Sequence, residues 1–348
     1  MNDLASIAAA WGWQGAELAP LTGGLINATY AVRISDEPVA VLQRLHPVFG
    51  AEVNYDIEAV TARLIAQGVA TPRLLRTRNN AAWVEHDGRI WRALSWEPGQ
   101  AIAQVPGLEW AARGGELVAR YHRALDGFGY RYRFVRAGVH DTVAHLSKLQ
   151  QRCMLGAAAA GSADNDPIVT QAIELGHRIM ALANWSFDLA VMPQRHIHGD
   201  LKISNLLFEL NPVRGHCLVD LDTVGYGTLA FELGDAMRSW CNPHGEDAGR
   251  VTFDMPIFQA AMQAYFAAVG SAISYAADER QSVVHGLLRV CVELAARFCV
   301  DIFDDAYFGW DAARFASRRA HNLVRAQGQL ALAQAVATSF DDAVAIVA

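Results

Sequence analysis

The chain has 348 residues, enough for one large domain or two lobes, and 52% of them are hydrophobic, which argues against disorder. Acidic residues outnumber basic ones by 36 to 29 and give a net charge of −7, so a nucleic-acid-binding surface, which would be basic, is not expected. The five cysteines form no C-x-x-C pair, which predicts buried thiols in a reducing compartment and no zinc site. An acidic start and the lack of any stretch of about 18 uncharged apolar residues predict a cytoplasmic protein without a membrane span.

The first third of the chain has the pattern of a small antiparallel sheet with one helix. In chain order, we predict a helix at 4–13, strands at 29–32 and 38–45, a helix at 53–67, and strands at 71–75, 82–85 and 90–96. Pro98-Gly99 then breaks the pattern. We therefore predict two lobes, residues 1–96 and 97–348, with the hinge at Glu97-Pro98-Gly99.

Two glycines precede the first of these strands. A Gly23-Gly24 hairpin lets backbone amides approach a phosphate without a clash from Cβ atoms. Thr22 and Asn27 flank it and would stabilise the loop or contact phosphate. Gly-Gly turns are also common in proteins without a nucleotide, so the local pattern supports both interpretations equally.

Beyond residue 108 the sequence becomes mainly helical. Predicted helices lie at 116–125, 141–155 and 167–185, and after residue 230 at 231–240, 256–268 and 277–303. Pro167 at a first helical position with Asp166 as its cap marks the start of the third helix. The segment 156–166 is rich in Ala, Gly and Asp and is predicted to be a surface loop.

Between these helical regions, the stretch from His198 to Asp222 carries the chemistry. Asp200 lies on a tight loop, Asn205 follows five residues later, and a short hairpin leads to Asp220. Phosphoryl transfer needs this set, because a carboxylate accepts the hydroxyl proton while amide and carboxylate oxygens hold Mg²⁺. Lys202 would reach the transferred phosphate as a point charge. The alternative is a polar turn that joins two buried strands and carries two acids by chance.

The motif His198-Gly199-Asp200-Leu201-Lys202-x-x-Asn205 resembles the catalytic loop of protein kinases. Gly199 replaces their usual Arg, Asp220-Leu221-Asp222 replaces D-F-G, and no A-P-E follows. The chain therefore resembles the aminoglycoside phosphotransferase and choline kinase superfamily. This resemblance implies an α+β, bilobal protein-kinase-like fold with an antiparallel β N-lobe, a mainly helical C-lobe, and ATP with Mg²⁺ between them. It also implies Asp200 as base, Asn205 and Asp220 as metal ligands, and the Gly23-Gly24 loop over the phosphates.

Two further nucleotide contacts follow from the resemblance. Backbone groups from Leu94 through Trp96 to Glu97 would face the adenine. Kinases carry a Lys on the third strand, where this chain has Gln43-Arg44, so Arg44 is the candidate cation and Glu58 its candidate partner. An exposed strand-end Arg and a solvated helix Glu are equally compatible with the pattern. Asp235 resembles the acid that braces the catalytic loop in this superfamily, and an exposed helix acid is equally compatible with the sequence.

Motifs near the C-terminus resemble the N-acetylhexosamine 1-kinase branch. They include residues 293–301 and 321–330, together with the D-L-D-T that contains Asp222. The branch implies a sugar acceptor, for which Asp222, Arg297 and Asp301 are candidate contacts. A second metal ion is the alternative ligand for Asp222. Arg297 and Asp301 lie four apart on one helix and would otherwise be an exposed ion pair.

Other acceptors and one other class of protein remain open from sequence. Choline-, homoserine- and aminoglycoside-type acceptors need clustered acids and aromatics, which Asp301, Asp304, Asp305, Tyr307 and Trp310 would supply. A nucleotide-binding regulator without turnover is the remaining alternative, although the full catalytic set argues against it. We expect a monomer or homodimer that acts on a small molecule.

Overall fold

The computed structural model describes residues 2–21, 27–135, 138–159, 166–248 and 250–348. Its N-terminal part contains two helices and a six-stranded antiparallel sheet. Their bounds are α1 (Asn2–Ala9), β1 (Glu17–Pro20), β2 (Ala28–Ile34), β3 (Glu37–Arg44), α2 (Val53–Ala66), β4 (Leu74–Leu75), β5 (Val84–His86) and β6 (Arg89–Ser95). The strand order is β1-β2-β3-β6-β4, and β5 also pairs with β6. The two helices and five strands predicted for this region are thus confirmed in type, and β1 is an additional strand.

The two faces of this sheet have different partners. On one face Val32, Leu42 and Trp91 form a small core with Ile7 and Trp11 from the N-terminal helix region. The other face belongs to the main core, with Leu94 packed beside the apolar side of α2. That side is the one that the 3.6-residue periodicity predicts: Val53, Ile57, Val60 and Leu64 are all buried.

The remaining elements are mainly helical. They are β7 (Gln100–Ala101), α3 (Leu108–Leu125), α4 (Thr142–Ala159), α5 (Pro167–Ala181), β8 (Gln194–Ile197), β9 (Leu206–Leu210), β10 (Val213–Leu218), β11 (Gly225–Thr228), α6 (Leu229–Trp240), α7 (Met255–Val269), α8 (Ala277–Asp304), α9 (Arg318–Thr338) and α10 (Phe340–Val347). β7, β9 and β10 form one small sheet, and β8 pairs with β11 in a second. The predicted combination of an antiparallel N-terminal part and a helical C-terminal part is confirmed. The sequence patterns did not predict α9 and α10 as helices or the β8–β11 pairing.

Helix α8 is the centre of the C-terminal core and packs against α4, α5, α6, α9 and α10. Its crossing with α6 is so close that a Cβ atom on Gly286 would lie 2.0 Å from the carbonyl oxygen of Ala230. A side chain at this position would therefore separate the two helices. Since α6 contacts the catalytic segment, its position on α8 also fixes the site described below.

Two expectations from composition can be compared with the structure. All five cysteines are buried free thiols, as predicted. No single helix in the described parts of the chain is long and apolar enough to cross a membrane, and only α9 and α10 taken together, at a bend of 69°, meet the criteria of length and composition. The predicted lobe boundary after residue 96 stays a prediction, although β6 belongs to the N-terminal sheet and β7 pairs with β9.

Candidate active site

The catalytic segment is a short loop that buried apolar residues anchor on both sides of the acid. Strand β8 ends at Ile197, and a single 3₁₀ turn at Ile203–Asn205 leads into β9. Leu201 and Ile203 are buried, and the indole nitrogen of Trp240 donates to the carbonyl oxygen of Leu201 at 2.7 Å. The alternation of apolar and polar residues thus leaves Asp200 and Lys202 partly exposed, with 27% and 29% of their side chains accessible.

The predicted catalytic and metal-binding residues meet at this loop. Lys202 Nζ donates to Asp200 Oδ2 at 2.7 Å and lies 3.8 Å from Asp220 Oδ2. The side-chain amide of Asn205 donates to the carbonyl oxygen of Asp200 at 2.8 Å. Because this bond uses the amide nitrogen, the amide oxygen is the atom of Asn205 that is available to a cation. The structure therefore brings together all four residues that the motif singled out.

The charged groups around the loop favour the binding of a cation. Burial raises the pKa of Asp220, and the nearby carboxylates of Asp222 and Asp200 raise it further. Burial opposes the charge of Lys202, but the carboxylates of Asp200 and Asp220 outweigh it and raise the pKa of the amine. Carboxylate and amide oxygens with repelling negative charges form the donor set that Mg²⁺ prefers, so Asn205 and Asp220 fit a bound Mg²⁺.

Glu232, near the start of α6, braces the catalytic loop. Its Oε1 accepts from the backbone N–H of His198 at 2.8 Å, and its Oε2 accepts from that of Gly199 at 2.9 Å. His122 Nε2 lies 3.2 Å from Oε1. Although burial raises the pKa of Glu232, the imidazole of His122 and these hydrogen bonds lower it overall, which keeps the brace ionised.

The acid for which sequence predicted this bracing role was Asp235, and that prediction is wrong. Asp235 accepts from Arg238 Nε at 2.7 Å, one turn further along α6. The two acids lie three residues apart on one helix, so periodicity alone does not distinguish them.

Gly199 and the turn at Asp222 fit tightly together. Gly199 has φ of +79°, and a Cβ atom there would lie 2.5 Å from the carbonyl oxygen of Thr223. The Thr223 hydroxyl donates to the carbonyl oxygen of His198 at 2.8 Å. Glycine is therefore required both by the left-handed backbone and by the close approach of the D-L-D-T turn.

On the nucleotide side, Thr22, Gly23 and Gly24 lie outside the described residues. Asn27 is described and connects two loops: its Nδ2 donates to Asp222 Oδ2 at 2.6 Å, and its Oδ1 accepts from the backbone N–H of His46 at 2.8 Å. Asn27 thus connects the start of β2 to the D-L-D turn and to the residue after Leu45. Its two expected roles, stabilising the glycine loop or contacting phosphate, stay predictions.

The predicted strand cation Arg44 is on the wrong face of the sheet. Its guanidinium is exposed and lies 5.9 Å from the ring centre of Trp91, which belongs to the core around α1. Its predicted partner Glu58 instead pairs with Arg76 at 2.6 Å. Side chains alternate along a strand, so the neighbour Gln43 faces the opposite side. The assignments of Arg44 and Glu58 to the nucleotide are therefore corrected.

The cation on the correct face is Arg92, which the sequence analysis did not identify. It lies opposite Gln43 in the β3–β6 register, and its Nε and Nη2 donate to Gln43 Oε1 at 2.9 and 2.7 Å. The guanidinium also pairs with both oxygens of Asp222, with Nη2 at 2.9 Å from Oδ2. Arg92 is fully buried, so its charge is neutralised by Asp222 instead of being open to solvent.

In the segment predicted to face adenine, Leu94 and Trp96 have different surroundings. Leu94 is flanked on both sides, by Val41 of β3 and Leu74 of β4, and its side chain is buried in the core. Its backbone therefore has no free edge for adenine, and this assignment is corrected. Trp96 follows the end of β6 and its N–H lies 3.5 Å from the carbonyl oxygen of Val39, so its contact with adenine stays a prediction.

The C-terminal acceptor contacts have structural partners instead. Asp301 is 2% exposed and accepts four hydrogen bonds, from the backbone N–H groups of Ala306, Tyr307 and Phe308 and from Asn322 Nδ2. These bonds fill its four lone-pair positions, so no acceptor remains for a sugar hydroxyl. Arg297 stacks on Tyr307 and Phe308, at 5.8 and 5.7 Å from their ring centres. The predicted substrate role of Asp301 is therefore wrong, and Arg297 is not part of the cavity described next.

A cavity of about 740 Å³ opens beside the catalytic loop and reaches Gly199, Asp222 and Thr223. Aromatic side chains form much of its wall: Tyr132, Phe134, Tyr226 and Phe231. Its polar lining includes Arg131, His140, Asp141, Thr142, Gln194, Thr228 and Arg289. Because Gly199, the residue before Asp200, lines it, this cavity is the candidate acceptor site, although of the predicted acceptor contacts only Asp222 lines it.

The carboxylates of the cavity are already engaged. Among the described residues that line it, only Asp141 and Asp222 are acidic. Asp222 binds Arg92 and Asn27, and Asp141 caps α4 by accepting from the N–H of Ala144 at 3.0 Å. Arg289, in contrast, donates to the carbonyl oxygen of Phe187 at 2.8 Å and stacks on Trp185, so its positive charge has no carboxylate in hydrogen-bond contact among the described residues.

Solved structures share this fold, and a family profile matches the sequence. The profile of the "Phosphotransferase enzyme family" matches residues 17–267, more than half of the chain. An aminoglycoside phosphotransferase from Alicyclobacillus acidocaldarius superposes with a TM-score of 0.64 at 15% identity, covering 97% of this chain and 96% of that one. A choline/ethanolamine kinase family protein from Mesorhizobium loti gives 0.56 at 18% identity, with 99% and 97% covered.

The amicoumacin kinase hAmiN, solved in complex with AMP-PNP, Ca²⁺ and Ami, gives a TM-score of 0.59 at 13% identity, with 92% of each chain covered. At these identities the structural likeness shows the fold, which is the bilobal kinase-like fold predicted from the catalytic motif. The match to the family profile carries the assignment further, because it covers the catalytic segment from His198 to Asp222. The chain belongs to the phosphotransferase enzyme family.

Proposed function

We propose that this phosphotransferase is an ATP- and Mg²⁺-dependent small-molecule kinase that transfers the γ-phosphate to the anomeric hydroxyl of a hexose or N-acetylhexosamine. Family membership supports a kinase that acts on an alcohol. The resemblance of the C-terminal motifs to the N-acetylhexosamine 1-kinase branch supports the sugar and the position of transfer.

The chemical roles follow from the arrangement at the loop. Asp200, held by Glu232 through the backbone of His198 and Gly199, orients the acceptor hydroxyl and accepts its proton. Lys202, 2.7 Å from Asp200, contributes positive charge next to the reacting oxygens. Asn205 and Asp220 would hold Mg²⁺, which when bound neutralises charge on the nucleotide phosphates.

The observation that carries the choice of acceptor is the charge of the cavity. Choline, ethanolamine and aminoglycosides are cations, and a site for them needs free carboxylates near aromatic rings. Here both carboxylates that line the cavity among the described residues have partners, while Arg131 and Arg289 add positive charge. Aromatic walls with hydroxyl, amide and imidazole groups suit a neutral sugar, which packs one apolar face and hydrogen-bonds its hydroxyls.

The acids that sequence offered for a cation site are also engaged elsewhere. Asp304 pairs with Lys148 at 2.9 Å and with Arg152 at 2.6 Å, and Asp305 pairs with Arg318 at 3.4 Å. Tyr307 is 62% exposed and lies outside the cavity. These contacts favour a sugar over choline-, homoserine- or aminoglycoside-type acceptors. The convergence of Asp200, Asn205 and Asp220 argues against a regulator without turnover.

A Mg²⁺-dependent ATP-consumption assay over hexoses, N-acetylhexosamines, choline, homoserine and aminoglycosides tests this proposal. We expect turnover with a neutral sugar, and a phosphorus NMR signal of a sugar 1-phosphate. A 6-phosphate, a phosphorylated amine or a phosphorylated aminoglycoside as the favoured product would overturn the choice of acceptor. Absence of turnover with the entire panel, while Mg-ATP binds, would favour the regulator.

A further inference from the structure

Three side chains with metal-binding atoms meet beside the predicted hinge, and none of them belongs to the set Asp200, Lys202, Asn205 and Asp220. They are Glu97, the second residue after the end of β6, and His216 and Cys217 of β10. One carboxylate oxygen, one imidazole nitrogen and the thiol sulfur all lie within 4.8 Å of one another. Cys217 is completely buried, and Glu97 and His216 are each 17% exposed.

A β-bulge explains why the side chains of two consecutive residues, His216 and Cys217, both belong to this cluster. In a regular strand, neighbouring side chains point to opposite faces. In the β9–β10 pair, however, the register shifts between Gly215 and Cys217, and His216 is the extra residue without a partner. A bulge re-aims the side chain that it inserts, so His216 and Cys217 approach the same point.

Neighbouring groups contact two of the three side chains, His216 and Glu97, as they do in a metal site. His216 Nε2 is buried, lies 3.5 Å from Glu97 Oε2, and makes no hydrogen bond within the described residues. His216 Nδ1 lies 3.4 Å from Glu209 Oε1, and Glu97 Oε1 accepts from the hydroxyl of Ser95 at 2.9 Å. A metal-binding His characteristically gives its other nitrogen to a carboxylate, which fixes the tautomer and the ring orientation.

We propose that Glu97, His216 and Cys217 bind a divalent transition-metal ion, with Zn²⁺ as the ion that these ligands suit best. A thiolate with an imidazole and a carboxylate is a donor set for Zn²⁺, whereas Mg²⁺ takes oxygen ligands. On binding, the thiol proton passes to solvent and the sulfur–metal bond forms, with no change of oxidation state. Three protein ligands leave a fourth position for water.

The site would join the hinge to the C-terminal part. Glu97 lies at the predicted lobe boundary, while His216 and Cys217 belong to the sheet of β7, β9 and β10. Metal binding would therefore fasten the segment after β6 to this sheet and raise the thermal stability of the folded chain. The composition of the chain predicted no zinc site, because the ligands are 119 residues apart in sequence and form no C-x-x-C pair. The proposal is independent of the acceptor and of catalytic turnover.

Titration of the chelator-treated full-length protein with Co²⁺ tests the site directly. Co²⁺ bound to a thiolate gives a sulfur-to-metal charge-transfer absorption, which Co²⁺ at the oxygen ligands Asn205 and Asp220 does not give. We expect one equivalent to produce this band, Zn²⁺ to abolish it, and Zn²⁺ alone to raise the melting temperature. The band should be lost in Cys217→Ser and retained in the matched control Cys153→Ser, another buried cysteine.

A second variant tests the site independently in case Cys217→Ser does not fold. Glu209→Gln leaves all three ligands in place and should weaken Co²⁺ binding by about 10–100-fold, as loss of an outer carboxylate does. The alternative is a metal-free cluster in which His216 simply lies between Glu97 and Glu209. Absence of the band in the wild type, or its persistence in Cys217→Ser, would overturn the proposal.

Discussion

Arg92 and Asp222, 130 residues apart in sequence, form a buried two-bond ion pair that joins β6 of the N-terminal sheet to the D-L-D turn. Their side chains are 0% and 2% exposed. Gln43 and Asn27 complete the set by bonding to the guanidinium and the carboxylate. Because Asp220 lies two residues before Asp222, this pair also positions the predicted metal ligand relative to the N-terminal sheet.

Replacement of Arg92 by Met tests the pair. An uncompensated buried carboxylate is left behind, so we expect a loss of about 3–5 kcal/mol in the free energy of unfolding, measured with denaturant. The double variant Arg92→Met/Asp222→Leu removes both charges and should recover part of that loss.

The matched control for Arg92→Met is Arg44→Met on the opposite face of the sheet. It should change stability by no more than about 0.5–1 kcal/mol, the worth of an exposed cation–π contact. Its KM for ATP should stay at the wild-type value. A higher KM for ATP in the Arg44 variant than in a Gln43→Ala variant would restore Arg44 as the nucleotide cation.

The local parts of the site were predictable from sequence because their geometry is set within a few residues. Asp200, Lys202 and Asn205 lie on one loop, so their spacing alone brings them together, and the structure confirms that proximity. The amphipathic face of α2 and the class of each lobe follow from periodicity for the same reason.

The non-local parts were not predictable because they depend on strand register and on which helix face meets the loop. A shift of one residue in β3 exchanges Gln43 for Arg44, and nothing in the sequence fixes that shift. Arg92 is identified only when β6 is placed opposite β3. Glu232 replaces Asp235 as the brace for a similar reason, since both acids lie near one face of α6.

Replacement of Asp200 by Asn tests the base. The amide keeps the size of the side chain but does not accept the proton, so we expect kcat to fall by about 10²–10⁴-fold. The Kd of Mg-ATP should change little, because Asp200 is assigned to the acceptor hydroxyl. Asp278→Asn, an exposed acid at the start of α8, is the matched control and should keep wild-type kcat. Turnover near the wild-type value in Asp200→Asn would exclude the base role.

Replacement of Asp220 by Ala tests metal holding. We expect loss of turnover and weaker Mg²⁺-dependent nucleotide binding, while Mg²⁺-independent binding changes less. Calorimetric titration with ATP at several Mg²⁺ concentrations separates the two effects. Full activity of the wild type in excess chelator, or normal activity of the variant, would remove Asp220 from the metal site. Asn205→Ala is a weaker test, because Asn205 also holds the carbonyl oxygen of Asp200.

Replacing Arg297 or Asp301 by Ala tests whether each residue stabilises the fold or contacts the acceptor. Asp301→Ala leaves three backbone N–H groups without their acceptor, so we expect a loss of about 3 kcal/mol or more in the free energy of unfolding. Arg297→Ala removes only its stacking on two rings and should cost about 0.5–1 kcal/mol. In the folded fraction of both variants KM for the acceptor should be unchanged. A several-fold rise of that KM in Arg297→Ala would return Arg297 to the acceptor site.

Glu293 links acid stability to the acceptor cavity. It is 2% exposed, accepts from the hydroxyl of Thr142 at 2.6 Å and lies 3.4 Å from His140 Nδ1. Thr142 and His140 both line the cavity, and His145 and Arg289 are the other titratable or charged groups nearby. Although burial raises the pKa of Glu293, its interactions with His140, Thr142 and His145 lower it overall.

The lowered pKa of Glu293 determines how its contribution to the free energy of unfolding changes with pH. The unfolded chain takes up the proton first, near pH 4.3, so the stabilising contribution of Glu293 is present above that pH and is lost as pH falls through the lower folded-state pKa. Glu293→Gln should therefore reduce the free energy of unfolding at pH 7 and flatten its decline below about pH 4.3. It should also raise KM for the acceptor more than KM for ATP, since His140 and Thr142, which line the cavity, lose the negative charge of their common partner. Glu116→Gln, in an exposed pair with Arg113, is the matched control. It should leave the pH dependence of the free energy of unfolding and both KM values unchanged. An unaltered acid profile in Glu293→Gln would show that this carboxylate is not held ionised by its neighbours.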